Sequence, residues 1–316
     1  MDVSAQVATA RAPAKINIYL GVGPRRRDGF HDLATVFHAL RVGDDVVAER
    51  DDKGRVTVTV EAGEAGDSGA VDVDAVPADE SNLAARAAQS LRRYAGVECG
   101  VHLRIVKRIP VAGGLAGGSA DAAAALLACD SVWDTGCGKA ELATIGARLG
   151  SDVPFALHGG TVLGSGRGER LAPVMAPVRL HWVLAIAEGG LSTPKVYGQL
   201  DTMRAASMVP APQVPPELLT ALRVGDLDAV GDHLANDLQP AALRLRPALQ
   251  DVLDAGADLG AVGGVVSGSG PTVALLARDE RHADQMAAGL VARQVCRDAV
   301  ATTGAASGAR LISRST

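Results

Sequence analysis

The chain has few aromatic residues, few cysteines and no long apolar run. Tryptophan, tyrosine and phenylalanine make up 3% of its 316 residues, so valine, leucine and alanine must fill any core. The cysteines Cys99, Cys129, Cys137 and Cys296 form no C-x-x-C pair, which excludes a zinc-ribbon or disulfide scaffold and favours reduced thiols in the cytoplasm. No apolar window of about 18 residues and no basic-then-apolar N-terminus occurs, so neither a membrane span nor a signal peptide is expected.

The chain also lacks an excess of positive charge, with 31 lysine and arginine residues against 36 aspartate and glutamate residues. The formal net charge is −5, and the basic clusters are as short as Arg25-Arg26-Arg27. Nucleic-acid-binding proteins favour a basic face. We therefore expect no nucleic acid as partner, and predict a cytoplasmic protein that acts on a small molecule.

Glycine is plentiful in one place. The segment from Pro110 to Asp121 holds four glycines within six residues, and it lies between a β-branched run (101–106) and an alanine run (122–125). This order predicts a strand, a glycine-rich loop and a helix, an arrangement that directs backbone N–H groups and the positive end of a helix at phosphate. The loop therefore indicates a nucleotide or another phosphate ester as ligand.

Two familiar phosphate loops do not fit this segment. A Walker A loop needs a lysine after its glycines, and none is present. A dinucleotide fingerprint needs G-x-G-x-x-G after an N-terminal strand, whereas these glycines are paired and lie near residue 115. The remaining alternative is a flexible glycine linker.

The order of predicted elements favours an α+β fold, because strands and helices alternate without a regular βαβ rhythm. Residues 15–20 alternate polar and apolar and predict a strand with one solvated face, within an antiparallel meander over the first 60 residues. Ser81 is predicted to cap a helix that Gly96 ends. A last strand is predicted at 294–299, followed by a disordered tail from Thr302. The domain boundary is predicted near residue 170, giving domains of 1–170 and 171–316.

Three separated stretches together resemble one family. Residues 13–17 (Pro-Ala-Lys-Ile-Asn), 114–119 (Gly-Leu-Ala-Gly-Gly-Ser) and 268–272 (Gly-Ser-Gly-Pro-Thr) are similar, in order and spacing, to the three motifs of the GHMP kinases. The resemblance implies a two-domain fold, with an N-terminal ATP-binding domain like the second domain of ribosomal protein S5 and a ferredoxin-like C-terminal substrate domain. It also implies ATP and Mg²⁺ as cofactors.

Further stretches at 27–31, 150–155 and 191–197 resemble the branch of that family that acts on 4-diphosphocytidyl-2-C-methyl-D-erythritol in the non-mevalonate isoprenoid pathway. They imply phosphorylation of the 2-hydroxyl of that substrate. Two positions depart from the family pattern: Phe30 stands where tyrosine is common, and Ala116 stands where glycine is common. Both are expected to be tolerated, the first because stacking needs no hydroxyl and the second on the expectation of a negative φ.

The resemblance assigns Asp152 as the base that accepts the substrate hydroxyl proton, and Lys15 as the cation that keeps Asp152 ionised or offsets charge on the transferring phosphoryl group. From the sequence alone, Asp152 could equally be a helix-end carboxylate in a Ser-Asp-x-Pro turn. Lys15 could likewise be a solvated lysine at a strand edge.

The other candidate residues fall into two groups. The backbone of the glycine-rich loop is expected to hold the phosphates, and Ser119 is expected to reach Mg²⁺ or simply to cap the helix. The side chains of Asn82 and Lys107 are expected to contact the adenosine. The full group of nucleotide-binding candidates is Asn82, Lys107, Pro110, Val111, Ala112, Gly113, Gly114, Leu115, Ala116, Gly117, Gly118, Ser119 and Ala120. The cytidyl substrate is expected to lie among Asn17, Phe30, His31, Thr193, Tyr197 and Gly270. Phe30 and Tyr197 are expected to stack on the cytosine ring, with packing in the core as the alternative. His31 is expected to hydrogen-bond the polar edge of the cytosine.

Two rival functions remain open at this point. Another GHMP kinase, acting on homoserine or a mevalonate, would not need paired aromatics and a histidine. A nucleotide-binding regulator without catalysis would not need both Lys15 and Asp152. We expect a monomer or a weak homodimer without a membrane partner.

Overall fold

The computed structural model describes residues 6–63, 71–111 and 113–315, and over these ranges the α+β expectation is confirmed. The first part of the chain contains β1 (Val7–Arg25), β2 (His31–Asp51), β3 (Val56–Ala62), α1 (Leu83–Ala95), β4 (Gly100–Lys107), α2 (Gly117–Trp133), α3 (Lys139–Ala147), α4 (Val153–His158), β5 (Thr161–Gly166) and β6 (Arg170–Pro173). The second part contains β7 (Leu180–Ile186), α5 (Thr193–Met203), α6 (Pro216–Val224), α7 (Leu227–Asp232), β8 (Ala235–Asn236), α8 (Gln239–Leu245), α9 (Ala248–Asp258), β9 (Gly263–Val266), β10 (Val273–Ala277), α10 (Glu280–Ala292), β11 (Asp298–Gly304) and β12 (Arg310–Ser315).

Within the described ranges the strands join into one sheet, whose main path runs β12-β1-β2-β11-β7-β10-β9. The long strands β1 and β2 pair antiparallel along most of their length, and β2 also pairs with β4 and β5. The link between β2 and β11 is a single residue pair, Leu40 with Gly304. Strands of the two parts also pair at β1 with β12 and at β1 with β8, so the β2–β11 pair is the shortest of these three contacts. This β2–β11 pair is called the joint below.

The predicted meander is right for β1 and β2 and wrong for β3. Strand β3 pairs in parallel with β4, with Val56 opposite Val101. A parallel pair needs a crossover, and α1 supplies it between the two strands. The predicted cap of α1 is also shifted by one residue: the side chain of Asn82, not Ser81, accepts a hydrogen bond from the backbone N–H of Ala84. Gly96 ends the helix in the left-handed conformation, as predicted.

Helix α2 occupies the centre of the first part of the molecule. Its alanines at 120 and 122–125 are fully buried, and the helix packs against α1, β1 and β2. Small side chains on every face allow this close approach of neighbouring backbones. The dense packing of α2 holds the glycine-rich loop that precedes it in a fixed position.

The polar face of β1 is not solvated, contrary to the sequence-based expectation. Lys15 and Asn17 are 6% and 2% exposed. They line a cavity, and the polar groups of both have protein partners there. The alternation of polar and apolar residues therefore predicted the strand correctly. The expectation that its polar face contacts solvent was wrong.

The C-terminal predictions are corrected by the structure. The strand expected at 294–299 lies at Asp298–Gly304 as β11, and the tail expected to be disordered contains β12, which pairs antiparallel with residues 7–11 of β1. The end of the chain thus adds a strand to the first part of the sheet. The domain boundary near residue 170 stays a prediction. No helix in the described ranges is long and apolar enough to cross a membrane.

Candidate active site

A cavity of about 820 Å³ lies where the three motif stretches meet. Its lining includes Lys15 from β1, the loop before α2, Asp152 at the start of α4, and Gly268 and Gly270 from the turn after β9. A Cβ added to Gly268 would lie 3.1 Å from Lys15 Nζ, and one added to Gly114 would lie 2.2 Å from the carbonyl oxygen of Ser267. Glycine is required at 114 because its backbone packs directly against that of Ser267, and it is favoured at 268 because the φ there is +55°.

The carbonyl groups of the glycine-rich loop bond to the rest of the protein. The backbone N–H of Thr272 donates to the oxygen of Gly113, the Ser267 hydroxyl to that of Gly114, and the backbone N–H of Lys15 to that of Leu115. The carbonyls of the loop are fixed in this way. Its backbone N–H groups, from residue 113 to residue 119, donate no hydrogen bond to any residue that the structure describes. Free N–H groups beside a helix N-terminus are the donors that phosphate oxygens require.

The first turn of α2 corrects three sequence-based predictions. Ala116, not Ser119, is the N-cap residue, and its φ of 58° is positive, so the expected negative φ is wrong. Ser119 is the third residue of the helix, and a Cβ added to Gly150 would lie 3.7 Å from its hydroxyl oxygen. Ala120 does not line the cavity: it is fully buried, and its N–H donates to the carbonyl of Ala116.

Lys15 and Asp152 face each other in the middle of the cavity. Lys15 Nζ lies 4.0 Å from Asp152 Oδ2 and donates a 2.7 Å hydrogen bond to Asn17 Oδ1. Burial lowers the pKa of the Lys15 ammonium, and the charge of Asp152 opposes that shift. Asp152 precedes α4 but makes no capping bond, so the helix-cap alternative does not account for it.

The two residues predicted to contact adenosine are held by protein partners. The Lys107 ammonium lines the cavity and bonds to the carboxylates of Asp44 and, at 2.8 Å, Asp121. Burial alone lowers the pKa of Lys107, but the two carboxylates outweigh it and raise the pKa above its ordinary value. Asn82 does not line the cavity: its side chain caps α1 and donates a 2.6 Å bond to the carbonyl of Pro77. It therefore fixes the Ala75–Pro77 segment, which does line the cavity.

The far end of the cavity carries the predicted aromatic residues, arranged differently from a simple pair. The rings of His31 and Tyr197 are 5.1 Å apart, and Phe30, 51% exposed, has the Arg167 guanidinium 5.0 Å from its ring centre. His31 Nε2 lies 2.8 Å from Asp201 Oδ1. These five residues all line the cavity, so this end combines flat rings with charged groups of both signs.

The remaining predicted substrate residues, Asn17, Thr193 and Gly270, also line the cavity. The first two have hydrogen-bond partners in the protein, and Gly270 has a positive φ. The Asn17 amide accepts from Lys15 and donates to the Thr35 hydroxyl, and Thr193 Oγ1 lies 2.8 Å from Ser269 Oγ. Gly270 has a φ of 76°. Val111 and Pro110 line the cavity too, and Ala112 lies outside the described residues.

Sequence reasoning missed Asp201 and Arg167. Asp201 follows Tyr197 by four residues on α5, so helical spacing alone places the two side chains on one face and could have found it. Arg167 lies between Gly166 and Gly168 at the tip of the β5–β6 hairpin, and nothing in its local sequence marks it as part of the cavity.

Comparison with known proteins matches this geometry to a family. Residues 82–160 match the GHMP kinases N terminal domain, and residues 218–295 match the GHMP kinases C terminal domain. A 4-diphosphocytidyl-2-C-methyl-D-erythritol kinase of Salinispora tropica is 52% identical over 95% of this chain and 93% of its own length. The chain is a GHMP kinase. A kinase of the same name from Streptomyces avermitilis is 50% identical to it, over 96% of this chain and 99% of the relative.

Solved structures show that many GHMP proteins share this fold. A crystal structure of 4-(cytidine 5′-diphospho)-2C-methyl-D-erythritol kinase aligns with the kinase at a TM-score of 0.73 and 33% identity, covering 93% of this chain and 98% of that one. The L. major mevalonate kinase aligns at 0.75 with 17% identity, covering 94% and 96%. Because the two scores are alike, the fold alone does not distinguish the two kinases, and the sequence identity to the first is higher.

Proposed function

We propose that this kinase transfers the γ-phosphoryl group of ATP to the 2-hydroxyl of 4-diphosphocytidyl-2-C-methyl-D-erythritol, in isoprenoid precursor synthesis in the cytoplasm. The observation that carries the proposal is the position of the Lys15–Asp152 pair. The pair lies between a loop with free N–H groups and a pocket end built from Phe30, His31 and Tyr197. Such an arrangement suits a phosphate donor on one side and a nucleotide-like acceptor on the other.

Each group then has a chemical task. The N–H groups of residues 113–119 hold the phosphates of ATP, which fixes the donor in line with the acceptor. Asp152 Oδ2 accepts the proton of the substrate hydroxyl as that oxygen attacks, and the oxygen–phosphorus bond to ADP breaks. The Lys15 ammonium, buried and held by Asn17, offsets the negative charge that develops on the transferring group.

The donor set suits Mg²⁺ bound chiefly to nucleotide phosphates. Mg²⁺ keeps several waters and takes one or two protein oxygens beside phosphate oxygens. Ser119 and Asp152 both line the cavity, and a Cβ added to Gly150, two residues before Asp152, would lie 3.7 Å from the Ser119 hydroxyl oxygen. We assign Ser119 as the protein ligand. When bound, the ion neutralises charge on the β- and γ-phosphates.

The test is an ADP-release assay with Mg·ATP and four acceptors offered separately: the cytidyl methylerythritol compound, mevalonate, homoserine and galactose. We expect turnover with the cytidyl compound alone. Turnover of another acceptor would preserve the ATP site and reject the substrate assigned here. ATP binding without turnover of any acceptor would favour a non-catalytic nucleotide-binding protein.

A further inference from the structure

The contact between His31 and Asp201 bears on which pyrimidine the cavity accepts. His31 is 6% exposed, and two groups on one face of α5 hold its ring: the Tyr197 ring at 5.1 Å and the Asp201 carboxylate at 2.8 Å from Nε2. The second carboxylate oxygen of Asp201 lies 3.9 Å from Arg25 Nε. Asp201 thus hydrogen-bonds the imidazole through one oxygen and has a cationic neighbour near the other.

A carboxylate can only accept hydrogen bonds, so the imidazole nitrogen that faces Asp201 must carry the hydrogen. In neutral imidazole the other nitrogen, Nδ1, is then an acceptor. Nδ1 makes no hydrogen bond to any residue that the structure describes, and His31 lines the cavity. Asp201 therefore leaves an unused acceptor at the pyrimidine end of the site.

We propose that Asp201 is a positioning residue that fixes His31 as an acceptor towards the cavity and so selects a 4-aminopyrimidine over a 4-oxopyrimidine. The inference rests on the proposed function. Cytosine presents an amino donor at position 4, and uracil presents a carbonyl acceptor there, as thymine does. The acceptor nitrogen of His31 can accept a hydrogen bond from the amino group of cytosine. The carbonyl of uracil would instead place two acceptors side by side, and neither would have a hydrogen-bond donor.

Two substitutions of Asp201 separate this role from a structural one. Asp201→Leu removes the acceptor and keeps the number of side-chain heavy atoms and the branch at Cγ. Asp201→Asn removes the charge but keeps an oxygen that accepts from Nε2–H. We expect Asp201→Leu to lower the ratio of kcat/KM for the cytidyl substrate to that for its uridyl analogue by roughly tenfold to hundredfold, mostly through KM. Asp201→Asn should keep most of the ratio. The exposed neighbour Thr202→Ala, on the same helix, is the control.

A direct reading of the ring completes the test. In ¹⁵N-histidine-labelled protein, with the His31 signals assigned by their loss in His31→Gln, we expect the Nε2–H tautomer in the wild type and its loss in Asp201→Leu. An Nδ1–H tautomer, a doubly protonated ring, equal ratios in all variants, or equal damage by Leu and Asn would each overturn the proposal. Absence of turnover with the cytidyl substrate would instead reject the proposed function, and the tautomer would still be read from the spectra.

Discussion

Asp152 is the carboxylate that lies within ion-pair distance of Lys15 in the described part of the chain. If it accepts the hydroxyl proton, Asp152→Asn should lower kcat by roughly 10²–10⁴ while ATP affinity stays unchanged, because the amide cannot take a proton but occupies the same space. Steady-state kinetics and calorimetric titration of ATP measure the two effects. Asp284→Asn, which changes an exposed carboxylate on α10, is the control. A loss of less than about tenfold would remove Asp152 from this role.

Ala116 holds a conformation that suits glycine, with φ at 58°. A residue with a Cβ costs roughly 1–2 kcal/mol there, and glycine gives back part of this through the greater entropy of its unfolded chain. We expect Ala116→Gly to raise the free energy of unfolding by up to about 1 kcal/mol, measured as a shift in the urea midpoint. The control, Ala122→Gly inside α2, should lower it by at least about 1 kcal/mol. A destabilised Ala116→Gly protein would contradict the argument.

The residues that sequence predicted well are those in contiguous motifs. Lys15, Asp152 and the loop at 113–119 each lie in a short stretch whose pattern carries its chemistry. Asp201 and Arg167 escaped because their contacts with His31 and Phe30 join segments more than 100 residues apart. The sign of φ at Ala116 escaped because it depends on how the loop enters α2, which no side chain in the loop specifies.

At the scale of elements, helices with caps and strands with alternation were predicted closely, whereas pairing was not. Strand β3 alternates like a meander strand, and its parallel partner is decided by the crossover through α1. Strand β12 was missed because all of its residues are exposed, so no buried face gives it an apolar period. Its stability comes from backbone bonds to β1, which composition does not reveal.

Strand β12 therefore protects the edge of β1. A chain that ends at Ala309 should expose the backbone of residues 7–11 and associate with other copies through that edge. Size-exclusion chromatography over a range of concentrations would show the larger species. Ile312→Lys keeps the backbone pairing and changes an exposed side chain, so this variant should behave as the wild type does. A truncated chain with unchanged elution would show that β1 needs no cover.

At the scale of the whole molecule, the joint between β2 and β11 is tightly packed around a buried histidine. At this joint His38 of β2 is fully buried, its Nδ1 lies 2.8 Å from the Thr161 hydroxyl of β5, and its ring lies 6.1 Å from that of Trp182 on β7. A Cβ added to Gly304 of β11 would lie 1.9 Å from His38 Nε2. Four strands thus converge on one imidazole, which must stay neutral because no described residue bonds its Nε2.

Acid should therefore weaken the molecule at this joint. Burial lowers the pKa of His38 to about 3, against 6.5 in an unfolded chain. Between these values the unfolded chain binds a proton that the folded chain does not, so stability falls as pH falls from 6.5 towards 3, by up to about 1.4 kcal/mol per pH unit from this group. Urea unfolding between pH 6.5 and 3 should show this dependence of the free energy of unfolding on pH. His38→Asn should reduce that slope, whatever the substitution does to stability at pH 7. His102→Asn, on the surface of β4, should leave the slope intact. If the slope of His38→Asn matched that of the wild type, the acid sensitivity would have to come from other groups.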